Sequence, residues 1–335
     1  MNPFNEPSAF YPMPDPLPVR RRQDHRALRL LGFYIGCALL AFIALQNLLT
    51  LPLLLPSLYH KYHSDGLFQN GVDLLVVMIS LLLPFFVLSK PMRRVSGCAE
   101  PLPLELPRGG ADVLLTVPAG LMFCMAANYV TDLLVSAGAG IGVELSSPEL
   151  PLPTGVLGVT SAVFRVVIMP ALVEELCFRG IVMQHLRRFG EWFAVIAAAL
   201  CFGLMHCNLI QAPFAFIVGL SLGYFVIRTG SLWPAILIHA LNNTVSLVFS
   251  YLSQAPIPAQ KFGFFYYGVQ GMLFGCGAVC FLAYLYRSKE AARLPCPQPR
   301  VLSAGEKLAA FFSAPTMVIA ICAMVYFTSR YVGLT

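Results

Sequence analysis

Long apolar runs constrain this chain more than anything else in it. Stretches 28–55, 67–89, 112–137, 158–187, 192–209, 212–229, 231–252, 263–286 and 308–328 are each dominated by hydrophobic side chains. A run of about 20 such residues is what an α-helix needs to cross the hydrocarbon of a bilayer. Backbone groups in lipid must be satisfied within the segment, so runs of this length are helical. The expectation is an all-α, polytopic integral membrane bundle with about eight or nine transmembrane helices. Composition agrees: 58% of the residues are hydrophobic and 11% charged, against roughly 25% charged in a soluble domain.

The basic residues sort by side. If the N-terminal side is inside, seventeen of the 22 Lys and Arg fall there. They cluster at Arg20–Arg29, at Lys90–Arg108, at Arg187, Arg188 and Arg228, and from Arg287 to Lys307. Outside there are Lys61, Lys261 and Arg330, while Arg165 and Arg179 lie within a span. This is the positive-inside pattern. It places the N-terminus in the cytoplasm and, with nine spans, the C-terminus outside. It also assigns the net charge of +6 to the membrane surface rather than to nucleic acid. The 138–153 loop, with Glu144 and Glu149 and no Lys or Arg, suits the outer side.

Pro- and Gly-rich stretches divide the chain. Residues 1–27 read as a cytoplasmic, Pro-rich basic tail, and 28–111 as two helices and a linker. Residues 112–252 form a core, and 253–335 carry two further helices. The apolar run behind the basic residues is too long for a cleavable signal peptide. The ten cysteines mostly sit in apolar runs, without C-x-x-C or Cys/His metal spacing, so no structural disulfide is expected.

Inside the fourth run lies A-L-V-E-E-L-C-F-R-G, residues 171–180. A charged side chain at membrane depth costs at least about 2.5–3.5 kcal/mol on insertion scales, so three within six positions require a reason. Glu175 and Arg179 are i, i+4 neighbours in the favoured order, which suggests an internal ion pair. Glu174 is turned about 100° away and is left over. Pro170, earlier in the same run, can kink it, and Arg165 could pair with Asp132 or snorkel to the interface.

Two more spans carry polar groups at matching depth. His206 closes F-G-L-M-H from Phe202. His239 and Asn243 share a helix face in I-L-I-H-A-L-N-N, with Asn242 on a neighbouring face. Counted from the inner boundary, Glu174, His206, His239 and Asn243 lie roughly 12–21 Å deep, so one chamber near the midplane can hold all four. Taken singly, each His or Asn is also what interhelical hydrogen-bond glue looks like. Glue does not require an unpaired carboxylate.

Such a set suits hydrolysis. A carboxylate can act as general base on water, and an imidazole can hold that water or carry its proton. An imidazole N–H and a carboxamide can donate to the oxyanion of a tetrahedral intermediate. No Ser or Cys at a recognisable nucleophile spacing competes with direct water attack. Cys177, three residues after Glu174, falls on the same general helix face and stays the lesser nucleophile alternative.

These motifs resemble the CPBP intramembrane proteases, the group of CAAX endopeptidases, bacteriocin-processing (Abi) proteins and lysostaphin-resistance-protein-A-like members. The pattern E-E-x-x-x-R, F-x-x-x-H and H-x-x-x-N on successive helices is met at Glu174-Glu175-x-x-x-Arg179, Phe202-x-x-x-His206 and His239-x-x-x-Asn243. The resemblance spans roughly residues 155–250. It implies that Glu174 activates water with His206 assisting, that His239 and Asn243 form the oxyanion pocket, and that Glu175 and Arg179 support the site. It implies a protein or peptide substrate in or near the membrane, CAAX-like or otherwise membrane-associated, while the positive-inside topology suits a multi-pass protein of a bacterial cell membrane. No cofactor is expected. Zinc is the lesser alternative, since one Glu, two His and an Asn offer N and O donors, although H-E-x-x-H is absent. Two other classes stay open: a non-catalytic membrane immunity or scaffold protein, and a small-solute transporter with an intramembrane proton relay.

Overall fold

A computed structural model describes residues 16–98, 102–107, 110–147, 152–287 and 301–334. The 1–15 part of the tail, Arg108, Glu149, and the Lys289, Arg293 and Arg300 positions lie outside the described residues. The chain is a bundle of helices. α1 is Leu17–Thr50, α2 Pro56–Ser64, α3 Gly66–Ser96 and α4 Gly110–Gly140. After the short strand β1 (Val143–Leu145), the fourth apolar run is divided into α5 (Gly155–Val163), α6 (Met169–Glu175) and α7 (Met183–Leu186). Then follow α8 (Glu191–Met205), α9 (Gln211–Thr229), α10 (Trp233–Ser253), α11 (Ala259–Arg287), α12 (Ala304–Phe312), α13 (Pro315–Ser329) and β2 (Val332–Leu334).

Among the described residues seven helical segments are long and apolar enough to cross a membrane, and α12 with α13, bent by 79°, would make an eighth. The fifth apolar run, 192–209, supplies only the 15-residue α8. The protein is thus a polytopic all-α membrane protein. Its basic N-terminal run differs from the expected tail. Arg20, Arg21, Arg22 and Arg26 occupy the first turns of α1, which begins straight after Pro16. Pro18, in the first turn of α1, costs nothing, because the first N–H groups of a helix have no intrahelical partner.

Two rims enclose the bundle. At one, Arg188 pairs with Asp24 at 3.1 Å and donates to the Ser96 carbonyl at 2.9 Å. Arg21 pairs with Glu306, and Lys307 donates to the Phe189 carbonyl. The linker at 102–107 is strapped to the same rim. Leu232 N donates to Pro103 O at 2.8 Å, Ser231 Oγ to Glu105 O at 2.6 Å, and Trp233 Nε1 to Leu104 O at 2.9 Å. At the opposite rim β1 pairs antiparallel with β2, with Glu144 opposite Gly333. Asn208 donates to Ser146 O at 2.8 Å, and the Tyr251 hydroxyl to Pro153 O at 2.9 Å. α8 therefore runs from the first rim, at Gly190, to the second, at Asn208, despite its length. Residues 332–334 end on the rim opposite the start of α1.

Glycines set the closest helix contacts. A Cβ at Gly219 on α9 would meet Ala199 Cβ at 3.0 Å and Arg179 Nη2 at 3.1 Å. One at Gly203 on α8 would lie 2.7 Å from the Ala212 carbonyl. The small residues let the two backbones approach, as membrane helices do without a hydrophobic driving force, and they bring α8 and α9 against the helix that carries Glu174.

Candidate active site

α6 is two turns long and lies between two segments of wide, π-type turns, Phe164–Ile168 and Leu176–Val182. Such turns insert an extra residue into the ladder and recur at functional sites. Pro170 stands at the start of α6. It has no N–H to offer Val166, four residues earlier. The Val166 carbonyl instead accepts from Asn243 Nδ2 at 2.9 Å. The kink expected at Pro170 is thus a wide turn braced from α10.

Glu175 and Arg179 form the ion pair their spacing suggests, with Nη1 to Oε1 at 2.8 Å. Both are buried, at 0% and 1% exposure. Glu175 Oε2 and Arg179 Nη2 have no hydrogen-bond partner among the described residues. The Arg179 guanidinium lies 4.2 Å from the centre of the Phe202 ring, a cation–π contact. Gln184 Nε2 donates to the Arg179 carbonyl at 2.9 Å.

His239 joins the two carboxylates. Its Nδ1 is 2.9 Å from Glu175 Oε1, and its Nε2 is 3.8 Å from Glu174 Oε2. A carboxylate only accepts, so Nδ1 carries the proton of that hydrogen bond. His206 caps the C-terminal end of α8, and its Nδ1 donates to the Phe202 carbonyl at 2.8 Å. That bond leaves its Nε2 free. Phe202 touches three of these groups, with ring centres 5.0 Å from His206 and 6.2 Å from His239, besides the Arg179 contact.

A cavity of about 710 Å³ is lined by Glu174, His206, His239 and Asn243 together. Asn242 lines it too. Its Nδ2 donates to Asn243 Oδ1 at 3.3 Å. The helix period had placed it on a neighbouring face, but adjacent residues only 100° apart both reach a wide cavity. A second cavity, of about 760 Å³, meets Glu174 and His206 from the side of α1 and α3.

Arg165 lies where the two cavities meet. Its expected partner, Asp132, is not the one it takes. Arg165 pairs with Asp73 on α3 at 2.7 Å and donates to Asn70 Oδ1 at 3.2 Å. Tyr62 adds its hydroxyl to Asp73 at 2.6 Å. Periodicity places a charge on a face but does not say which helix lies opposite. Cys177 is turned from the cavities, with Sγ donating to Leu81 O at 3.8 Å. Among the described residues no group of three or more His, Cys, Asp or Glu side chains is placed to hold a metal ion.

Residues 157–245 match the family of type II CAAX prenyl endopeptidases described as Rce1-like. That interval holds all three motifs, and the family resemblance they carry stands on it. An uncharacterized 24.3 kDa protein of Escherichia coli is 27% identical over 135 residues. The overlap is 38% of this chain and 62% of that protein. No solved structure matches the chain.

Proposed function

We propose that this multi-pass chain, with its CAAX-endopeptidase-like segment at 157–245, is an intramembrane endopeptidase that hydrolyses peptide bonds with water activated by Glu174. One observation carries the reading: Glu174, His206, His239 and Asn243, from three apolar helices, line a single cavity. Glu174 is the carboxylate not consumed by Arg179, and so the one free to take a proton from water. His206, with Nδ1 spent on Phe202 O, offers Nε2 to the same water or to the leaving amine.

His239 and Asn243 are the donors for the oxyanion. For Nε2 of His239 to donate while Nδ1 is held by Glu175 Oε1, the ring must carry both protons. Charge then balances locally: Glu174 and Glu175 against Arg179 and the imidazolium. Asn243 gives one amide hydrogen to Val166 O, so its second faces the cavity. Glu175 and Arg179 orient His239 and do not touch the substrate. The proposed chemistry is metal-free.

The test is a cleavage assay on membranes holding the full chain, with Glu174→Gln and His206→Ala variants and after exhaustive chelation. Activity lost in both variants and kept after chelation is expected. Undiminished turnover in either variant removes the mechanism. Activity that vanishes with the chelator and returns with zinc replaces it by a metal-dependent one.

A further inference from the structure

Both cavities end on the same rim. The first runs from Glu174 along α10 past Ser246 and Ser250 to Ser253, and reaches Ser147 after β1. The second runs from Glu174 to Thr50 at the end of α1, Tyr62 on α2 and Tyr331 after α13. These ends belong to the rim where β1 pairs with β2. Among the described residues no lining residue of either cavity comes from the opposite rim.

Toward that opposite rim described side chains pack beneath the site. Phe178 is fully buried and packs on Phe202, ring centres 5.2 Å apart, with Phe85 5.5 Å from Phe178 on its other side. The buried Arg179 guanidinium lies against the same Phe202 ring, 4.2 Å from its centre. Leu102 of the strap comes close enough that a Cβ at Gly180 would meet it at 3.1 Å.

The two rims differ in charge. Among the described residues the closed rim carries Arg20–Arg29, Lys90, Arg93, Arg94, Arg187, Arg188, Arg228, Arg287 and Lys307, and the open rim Lys61, Lys261 and Arg330. Loops rich in Lys and Arg stay in the cytoplasm.

We infer that the reaction chamber opens away from the cytoplasm, and that its substrate is a polypeptide segment presented on the extracytoplasmic face of the membrane. The substrate half of this inference rests on the endopeptidase reading. A cytosolic chain end would have to pass the aromatic floor to reach Glu174. The walls suit an extended peptide. Asn128, Thr131, Asn242 and Gln270 offer neutral hydroxyls and carboxamides. Gln270, beside Tyr266, is 1% exposed, and neither of its amide atoms has a well-formed hydrogen bond among the described residues. The same holds for the Thr131 hydroxyl. A buried donor and acceptor left open are costly, and a peptide backbone supplies both complements.

Orientation can be read without activity. Ser253→Cys at the cavity mouth and Arg94→Cys at the closed rim are placed separately in the full-length protein. Intact cells are treated with a membrane-impermeant maleimide, and labelling is compared with that of the unsubstituted chain, whose own cysteines set the background. Severalfold extra labelling of Ser253→Cys in intact cells is expected, with Arg94→Cys gaining label only after permeabilisation. The reverse pattern overturns the inference whatever the catalytic outcome. Polypeptide termini are then compared between cells with active and Glu174→Gln protein. New termini in extracytoplasmic segments support the inference. New termini confined to cytoplasmic segments overturn its substrate half while leaving the endopeptidase in place. Outward labelling with no change in termini strikes the endopeptidase reading, and the substrate half with it, but leaves the chamber's orientation standing.

Discussion

Asn243 Nδ2 lies 2.9 Å from the Val166 carbonyl, on the wide turn just before Pro170. A residue with a motif-assigned role in the oxyanion pocket is therefore also a backbone brace. Asn243→Leu leaves a carbonyl unsatisfied, a loss of about 1–3 kcal/mol. Pro170→Ala supplies the N–H that Val166 lacks. The double variant is expected to recover much of the lost stability, read by thermal unfolding in detergent, but not the cleavage activity. Recovery of both would leave Asn243 as a brace alone.

Glu174→Gln and Glu175→Gln should fail in different ways. Glu174 faces a cavity and holds no ion-pair partner closer than the 3.8 Å contact to His239. Its amide variant is expected to unfold near the wild-type temperature while kcat falls about 100- to 10,000-fold, the range for a positioned general base. Glu175→Gln strands a buried guanidinium. Removing one member of a buried pair costs about 3–5 kcal/mol, so this variant should lose yield and melting temperature first. Equal thermal stability of the two would contradict the division of labour.

Arg179→Lys is expected to behave as a damaging change. The ammonium keeps the charge but not the planar face over Phe202, 4.2 Å from the ring centre, nor the several fixed donors of guanidinium. Reduced activity together with an altered pH profile, reporting a displaced His239, is the expected readout. A merely structural role would lower the melting temperature and leave the profile where it was.

Tyr62 gives a prediction at alkaline pH. Burial and the hydrogen bond to Asp73 push its hydroxyl from 10.0 up to about 12. The protonated phenol is favoured in the folded protein, so its contribution is complete below pH 10 and is lost as pH rises toward 12. In an ultraviolet absorbance titration, Asp73→Asn should move one tyrosine to lower pH, and Tyr62→Phe should remove that late component. Unchanged curves in both would mean that the α2–α3 contact does not form in the membrane.

Much of this site was legible because helical period and depth are written in the chain. Glu175–Arg179 follows from i, i+4 spacing, and the common depth of Glu174, His206, His239 and Asn243 from counting residues in from the inner boundary. What was illegible depended on neighbours. Arg165 takes Asp73 rather than Asp132 because α3 lies beside that turn, and nothing local announces it. α8 stops at Met205 although apolar sequence continues, because Cys207 adopts φ 48°, a left-handed conformation reached without glycine or proline to signal it. The strap at 102–107 reads as a loose linker by its prolines, yet donors on α10 and in the turn before it hold its carbonyls.

The pairing of β1 with β2 has a consequence for how the molecule is made. Val143–Leu145 leaves the ribosome long before Val332–Leu334, its partner across the sheet. Until then the earlier strand has an open edge, and the third crossing is not tied to the last. Closure of that rim is accordingly a late event in biogenesis, and the chamber gains its finished mouth only when the final helix has been inserted.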